Sequence, residues 1–166
     1  MKSPLIYFLF FLFLFLGCSK ERDAQSENAM SAFVNGKFWS GTSVAEWQKY
    51  QDVLVLQGVR CLDDANPCMD GEDLTIAIHH FEGQTGLYNI VSPSYGLYRS
   101  WLGGDMLHFC GQTDSLSFTG QVSLTVFDTL SKKVECTFQY KAKDAQGRLY
   151  EISDGQFYSD ELTVLE

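Results

Sequence analysis

Lys133-Val134-Glu135-Cys136-Thr137-Phe138-Gln139-Tyr140-Lys141-Ala142-Lys143 alternates polar and apolar residues without a break. Successive side chains of a strand point to opposite faces. This period of two therefore puts Val134, Cys136, Phe138, Tyr140 and Ala142 on one buried face. Upstream, Gln121-Val122-Ser123-Leu124-Thr125-Val126-Phe127-Asp128 repeats the pattern, with Val122, Leu124 and Val126 inward. A helix needs a period near 3.6, and no ten-residue stretch after residue 18 carries it convincingly.

Toward the N-terminus, Ala32-Phe33-Val34 and Lys37-Phe38-Trp39 flank Asn35-Gly36. That pair supplies the two positive φ values of a type I′ hairpin turn. Residues 44–50 alternate loosely, and Val53 to Val59 is apolar on both faces, as in a central strand. Further strands are expected over 74–81, 86–91, 107–110, 149–152 and 155–158. Residues 92–105, rich in Ser, Gly and aromatic residues, read as a long loop. Many short strands separated by turn signals predict an all-β fold. The expectation is an antiparallel β-sandwich, with a small antiparallel β-barrel as the alternative.

The N-terminus has a different character. Lys2 precedes the twelve-residue apolar run Leu5 to Leu16, then Gly17-Cys18 and the polar Ser19-Lys20-Glu21-Arg22-Asp23. A basic start, a short apolar core and a small residue before the cut form an export signal. The run falls well short of the roughly 20 residues that span a bilayer as a helix. A Cys directly after the core resembles a bacterial lipobox, although Phe15 and Leu16 depart from its usual Leu and small residue. Lipidation at Cys18 is the expected outcome. The boundaries are then a signal peptide over 1–17, a flexible tether over 18–31 and a single β domain over 32–166.

Removing residues 1–17 takes away one Lys and no acid, so the formal net charge moves from −9 to −10. Nucleic-acid binding needs clustered Lys and Arg to displace counterions, and that class is excluded as an expectation. Attraction to anionic lipid is disfavoured too, leaving the acyl anchor as the membrane contact.

Besides Cys18 there are four cysteines: Cys61, Cys68, Cys110 and Cys136. An even number in an exported chain predicts two disulfides. Cys61 and Cys68 flank the turn-rich Asp63-Asp64-Ala65-Asn66-Pro67, while Cys110 and Cys136 sit in strand-like runs. The expected pairs are 61–68 and 110–136. No C-x-x-C is present, so zinc is not expected.

Other constellations carry less chemistry. His79 and His80 are adjacent on a strand and point apart, and His108 is distant, so no metal is expected. Asp63, Asp64, Asn66, Asp70, Glu72 and Asp73 form an acidic stretch that lacks calcium-loop spacing. No G-x-S-x-G occurs, and no catalytic residues or cofactor are expected. Tyr95, Tyr98, Arg99 and Trp101 are the candidate contact residues, since exposed aromatics stack on sugars or fill a partner's pocket. The competing reading folds them back as a cap.

Three stretches taken together carry a resemblance: Phe33-Val34-Asn35-Gly36-Lys37-Phe38-Trp39, Gly120 to Asp128, and Lys133 to Phe157. Their order resembles small β-rich lipoproteins of Bacteroidota catalogued as a domain of unknown function. The resemblance implies outer-membrane anchoring, with Lys20-Glu21 as a surface-export signal, and no catalytic residues. The expected function is a lipid-anchored envelope binding module for a glycan or protein partner. The alternatives are an accessory structural lipoprotein without a small ligand and, more remotely, a β-sandwich hydrolase.

Overall fold

The computed structural model describes residues 28–62, 70–102, 105–111 and 120–166, with 105–111 described as backbone only. Eleven strands are present among them: β1 (Asn28–Val34), β2 (Lys37–Gln48), β3 (Val53–Cys61), β4 (Gly71–His79), β5 (Gly86–Asn89), β6 (Tyr95–Leu102), β7 (Asp105–Gly111), β8 (Gln121–Asp128), β9 (Lys133–Asp144), β10 (Leu149–Ser159) and β11 (Leu162–Leu165). A 3-10 turn over Lys49–Gln51 links β2 to β3.

Hydrogen-bonded neighbours run β10-β1-β2-β3-β4-β6-β7-β9-β8-β5. β9 is the turning point. One of its edges lies along β10, and the other meets β8 and then β7. The β7–β9 contact among the described residues is two pairs long, Cys110 with Asp144 and Gly111 with Lys143. So short a seam leaves the sheet folded over into two facing layers. The fold is the expected antiparallel sandwich and is not closed into a barrel. β11 is the exception in direction, running parallel to β2.

The period-two reading of β9 holds: Val134, Cys136, Phe138, Tyr140 and Ala142 are all buried. They meet Leu54, Leu56, Leu74, Ile76 and Ile78 of β3 and β4 in one hydrophobic core. Tyr140 crosses between the layers, and its hydroxyl donates to the Leu97 carbonyl at 2.6 Å. Gly96 makes room for that ring, since a Cβ there would lie 2.6 Å from Tyr140 Cδ2. At one end of the core Trp47, Phe81 and Phe127 pack edge to face. Asn35 and Gly36 adopt φ 49° and 76°, as the hairpin turn requires.

Several expectations need correction. The domain includes Asn28 to Ser31, four residues of the expected tether, because Met30 is fully buried and β1 pairs with β10 from Asn28 onward. Residues 92–105 are not a loop: β6 and β7 occupy most of them and pair with each other. The runs at 149–152 and 155–158 are one strand bent by a bulge between Ile152 and Gly155. In β8, Leu124 opposes Cys136 and Val126 opposes Glu135, so Thr125 is an inserted residue. The bulge reverses the parity of the strand. Phe127 therefore packs against the core in place of Val126.

The 110–136 disulfide is not formed. Cys136 is a free thiol inside the core. Cys110 opposes Asp144, eight positions further along β9, which is about 27 Å at strand rise. A disulfide needs its Cα atoms within about 7 Å. Cys61 is disulfide-bonded, while Cys68 lies outside the described residues, so the 61–68 pairing remains an expectation.

Candidate functional site

The four contact residues expected from sequence fall on opposite faces of β6. Tyr98 points into the core with Gly96 and Ser100, and is 8% exposed. Its hydroxyl donates to Glu72 Oε1 at 2.9 Å, and Glu72 also pairs with Arg60. The Arg60 guanidinium stands 5.9 Å from the Trp39 ring centre. Tyr98 is therefore buried and belongs to a partly buried polar cluster with Glu72 and Arg60.

Tyr95, Arg99 and Trp101 share the outward face of β6 and are half-buried. Arg99 is committed to Asp73 on β4: Nε donates to Oδ1 at 2.8 Å and Nη2 pairs with Oδ2. Gln57 of β3 donates to the same Oδ2 at 3.0 Å. The bond from Asp73 raises the Arg99 pKa, outweighing the opposing effect of burial. Trp101 lies across Gly71 of β4, where a Cβ would sit 2.4 Å from Cζ2. These side chains hold strands together, and the structure does not gather the four into one cleft.

The remaining candidates disperse as well. His79 is half-buried with its ring centre 6.1 Å from that of Tyr95, and His80 ends the strand at φ 56°. The side chain of His108 lies outside the described residues, as do Cys18 and residues 63–69. Glu72 and Asp73 of the acidic stretch are strand residues held by Arg60 and Arg99. Among the described residues no three metal-ligating side chains cluster.

A concave surface lies on the other layer, over the outward face of β5, β8, β9 and β10. Two adjoining cavities of 340 and 520 Å³ share Gln121 and Gln139. Strand register explains the lining. Asn89 opposes Gln121, and Gln121 opposes Gln139, giving one row of amides. Leu87, Ser123, Thr137 and Gln156 form the next row. Lys141 and Glu151 form a third, joined by a salt bridge of 3.3 Å. Directly opposed side chains on neighbouring strands stand about 4.5–5.5 Å apart. The Gln121 amide donates to Asn89 Oδ1 at 3.4 Å.

Sequence reasoning missed this surface because it sought aromatics on a loop. A signal was present all the same. The outward positions of the two cleanest strands carry Gln121, Ser123, Thr137 and Gln139, where a purely solvated face usually carries Lys and Glu.

Comparison with protein-family models, curated proteins and solved structures finds no match to this chain. No helix among the described residues is long and apolar enough to cross a membrane.

Proposed function

We propose that this is a lipid-anchored protein of the cell envelope that works as a binding module, with the groove over β9 as its contact face. The apolar run ending in Gly17-Cys18 and the resemblance to small Bacteroidota lipoproteins support acyl anchoring in the outer membrane. The observation that carries the binding reading is the pair of adjoining cavities centred on Gln121 and Gln139. Their volumes fall within the range of small-molecule sites. They are built on strands, which position side chains more precisely than loops do.

A second reading is an accessory structural lipoprotein. The burial of Tyr98 and the commitment of Arg99 to Asp73 favour it, because both side chains then serve the fold.

Two experiments test the proposal. Metabolic labelling with a clickable fatty acid should mark the wild type and not Cys18→Ala; label on the variant refutes anchoring at Cys18. A photo-crosslinking residue at Gln139 of the full chain should give a discrete adduct, while one at the exposed Leu102 on β6, a strand outside the groove, should not. No adduct at Gln139 leaves the structural reading standing.

A further inference from the structure

We infer that the groove takes a neutral glycan, its hydroxyls bonded to the amide and hydroxyl rows that cross β5, β8, β9 and β10. This inference rests on the binding reading above and names its ligand class.

The argument begins with charge. Gln121, Ser123, Thr137, Gln139, Ser153 and Gln156 line the floor, and none is ionisable. Lys141 stands at one end with its charge matched by Glu151. Asp154 stands at the other end and is exposed. Among the described residues that line the groove no cation is unmatched, and the whole chain is acidic, so phosphate, sulfate and uronate ligands would meet net repulsion. A lone exposed carboxylate is a poor cation site, since hard cations take six or more oxygens.

Hydrogen-bond capacity comes next. An amide side chain offers two donors and one acceptor oxygen, and a hydroxyl offers one donor and two lone pairs. A sugar hydroxyl has the same dual character, so it can bond to each row in either sense. Side chains within a row repeat at the cross-strand spacing, and the rows repeat every two residues along the strands, which presents a periodic ladder to a periodic polymer. Leu87 lines one cavity with 65% of its surface exposed, and Val91 lines the other at 43%. Each provides apolar contact for the C–H face of a separate pyranose ring. An extended peptide would also find donors and acceptors here. It would need spaced apolar pockets for alternate side chains, and the side chains of the two rows are polar apart from Leu87.

The test uses the full lipidated protein in a zwitterionic detergent, because alkyl glycosides would compete. The probes are neutral malto-, cello-, xylo- and manno-oligosaccharides, oligogalacturonate, and a set of uncharged peptides. At least one neutral series should bind, with oligogalacturonate and peptides failing. Gln121→Leu combined with Gln139→Leu should weaken that binding about tenfold, the loss of one or two neutral hydrogen bonds. Thr137→Ala, on the adjacent row, should weaken it less and in the same series. Both variants alter exposed side chains, so their melting curves should match the wild type. Tighter binding of oligogalacturonate or peptide overturns the inference, and so does a lack of neutral-glycan binding at millimolar concentration. A protein adduct at Gln139 without glycan binding would keep the binding module and remove the glycan.

Discussion

Asn35 and Glu151 exchange two hydrogen bonds. The Asn35 N–H donates to the Glu151 carbonyl at 2.9 Å, and the Glu151 N–H donates to Asn35 Oδ1 at 2.9 Å. One residue thus shapes the β1–β2 turn, at φ 49°, and fastens that hairpin to β10. Asn35→Gly keeps the positive φ and loses the side-chain bond, which should cost about 1 kcal/mol. Asn35→Ala loses the bond and also forces a left-handed backbone, adding about 1–2 kcal/mol. Urea denaturation should rank wild type, Gly and Ala in that order; equal midpoints for Gly and Ala would refute the turn contribution.

The Asp73–Arg99 pair sits on the outward face, yet Asp73 is only 3% exposed. Arg99→Ala leaves a nearly buried carboxylate without its cation and should cost about 3–5 kcal/mol. The double variant Asp73→Leu with Arg99→Leu should cost much less, because no unpaired charge remains. Chemical denaturation of both variants decides between a structural Arg99 and a contact residue. A near-neutral Arg99→Ala would return Arg99 to the list of contacts.

Cys136 is a buried free thiol, and burial pushes its pKa up to about 12. The thiolate is the reactive form, so folded protein should leave this residue unmodified by iodoacetamide at neutral pH. Adding denaturant should expose one additional reactive thiol by mass spectrometry. The sign of the pH effect follows: the unfolded chain ionises this thiol at lower pH than the folded one. Stability from Cys136 is therefore intact at neutral pH and falls as pH rises above about 9. Cys136→Ala should remove that alkaline component.

Asp128 and Asp144 bind the turns that follow their strands. The Ser131 hydroxyl, together with the Ser131 and Leu130 N–H groups, holds the Asp128 pKa below the ordinary carboxylate value. Desolvation pushes Asp144 up, but bonds from Arg148 and the Gln146 N–H outweigh it and bring it down. A depressed folded pKa stabilises the protein above the unfolded value and is lost as pH falls through the folded one. Denaturation midpoints should drop between about pH 5 and pH 2. The drop should be smaller in Asp128→Asn and Asp144→Asn; an unchanged acid limb in both would show that these turns contribute nothing.

The strands were legible where alternation was long and unbroken. Residues 134–142 needed no tertiary information, and Asn35-Gly36 announced its own turn. β6 was not legible, because Ser92-Pro93-Ser94 and Gly96 have loop chemistry. Gly96 is there to admit the Tyr140 ring, a requirement set by a strand more than forty residues away. Thr125 carries no glycine to mark its bulge, so Val126 and Phe127 exchanged roles unseen. Met30 was hidden among polar neighbours, where one apolar residue does not make a period. The groove escaped for a similar reason: its rows exist only once β5, β8, β9 and β10 are in register.

Asn28 Oδ1 accepts a hydrogen bond from the Asp160 N–H, 132 residues along the chain. β1 thus waits for β10, more than a hundred residues downstream, before it gains one of its two neighbours. β2 likewise meets β11 across more than a hundred residues of chain. Pairings this distant in sequence fold slowly, because the closure entropy is met before the contacts form. A growing chain halted before Leu149 would present the open edges of β1 and β9 together, a combination prone to association with other chains. The sheet is thus completed from its far end: until β10 joins β1 to β9, each of those strands keeps an unpaired edge.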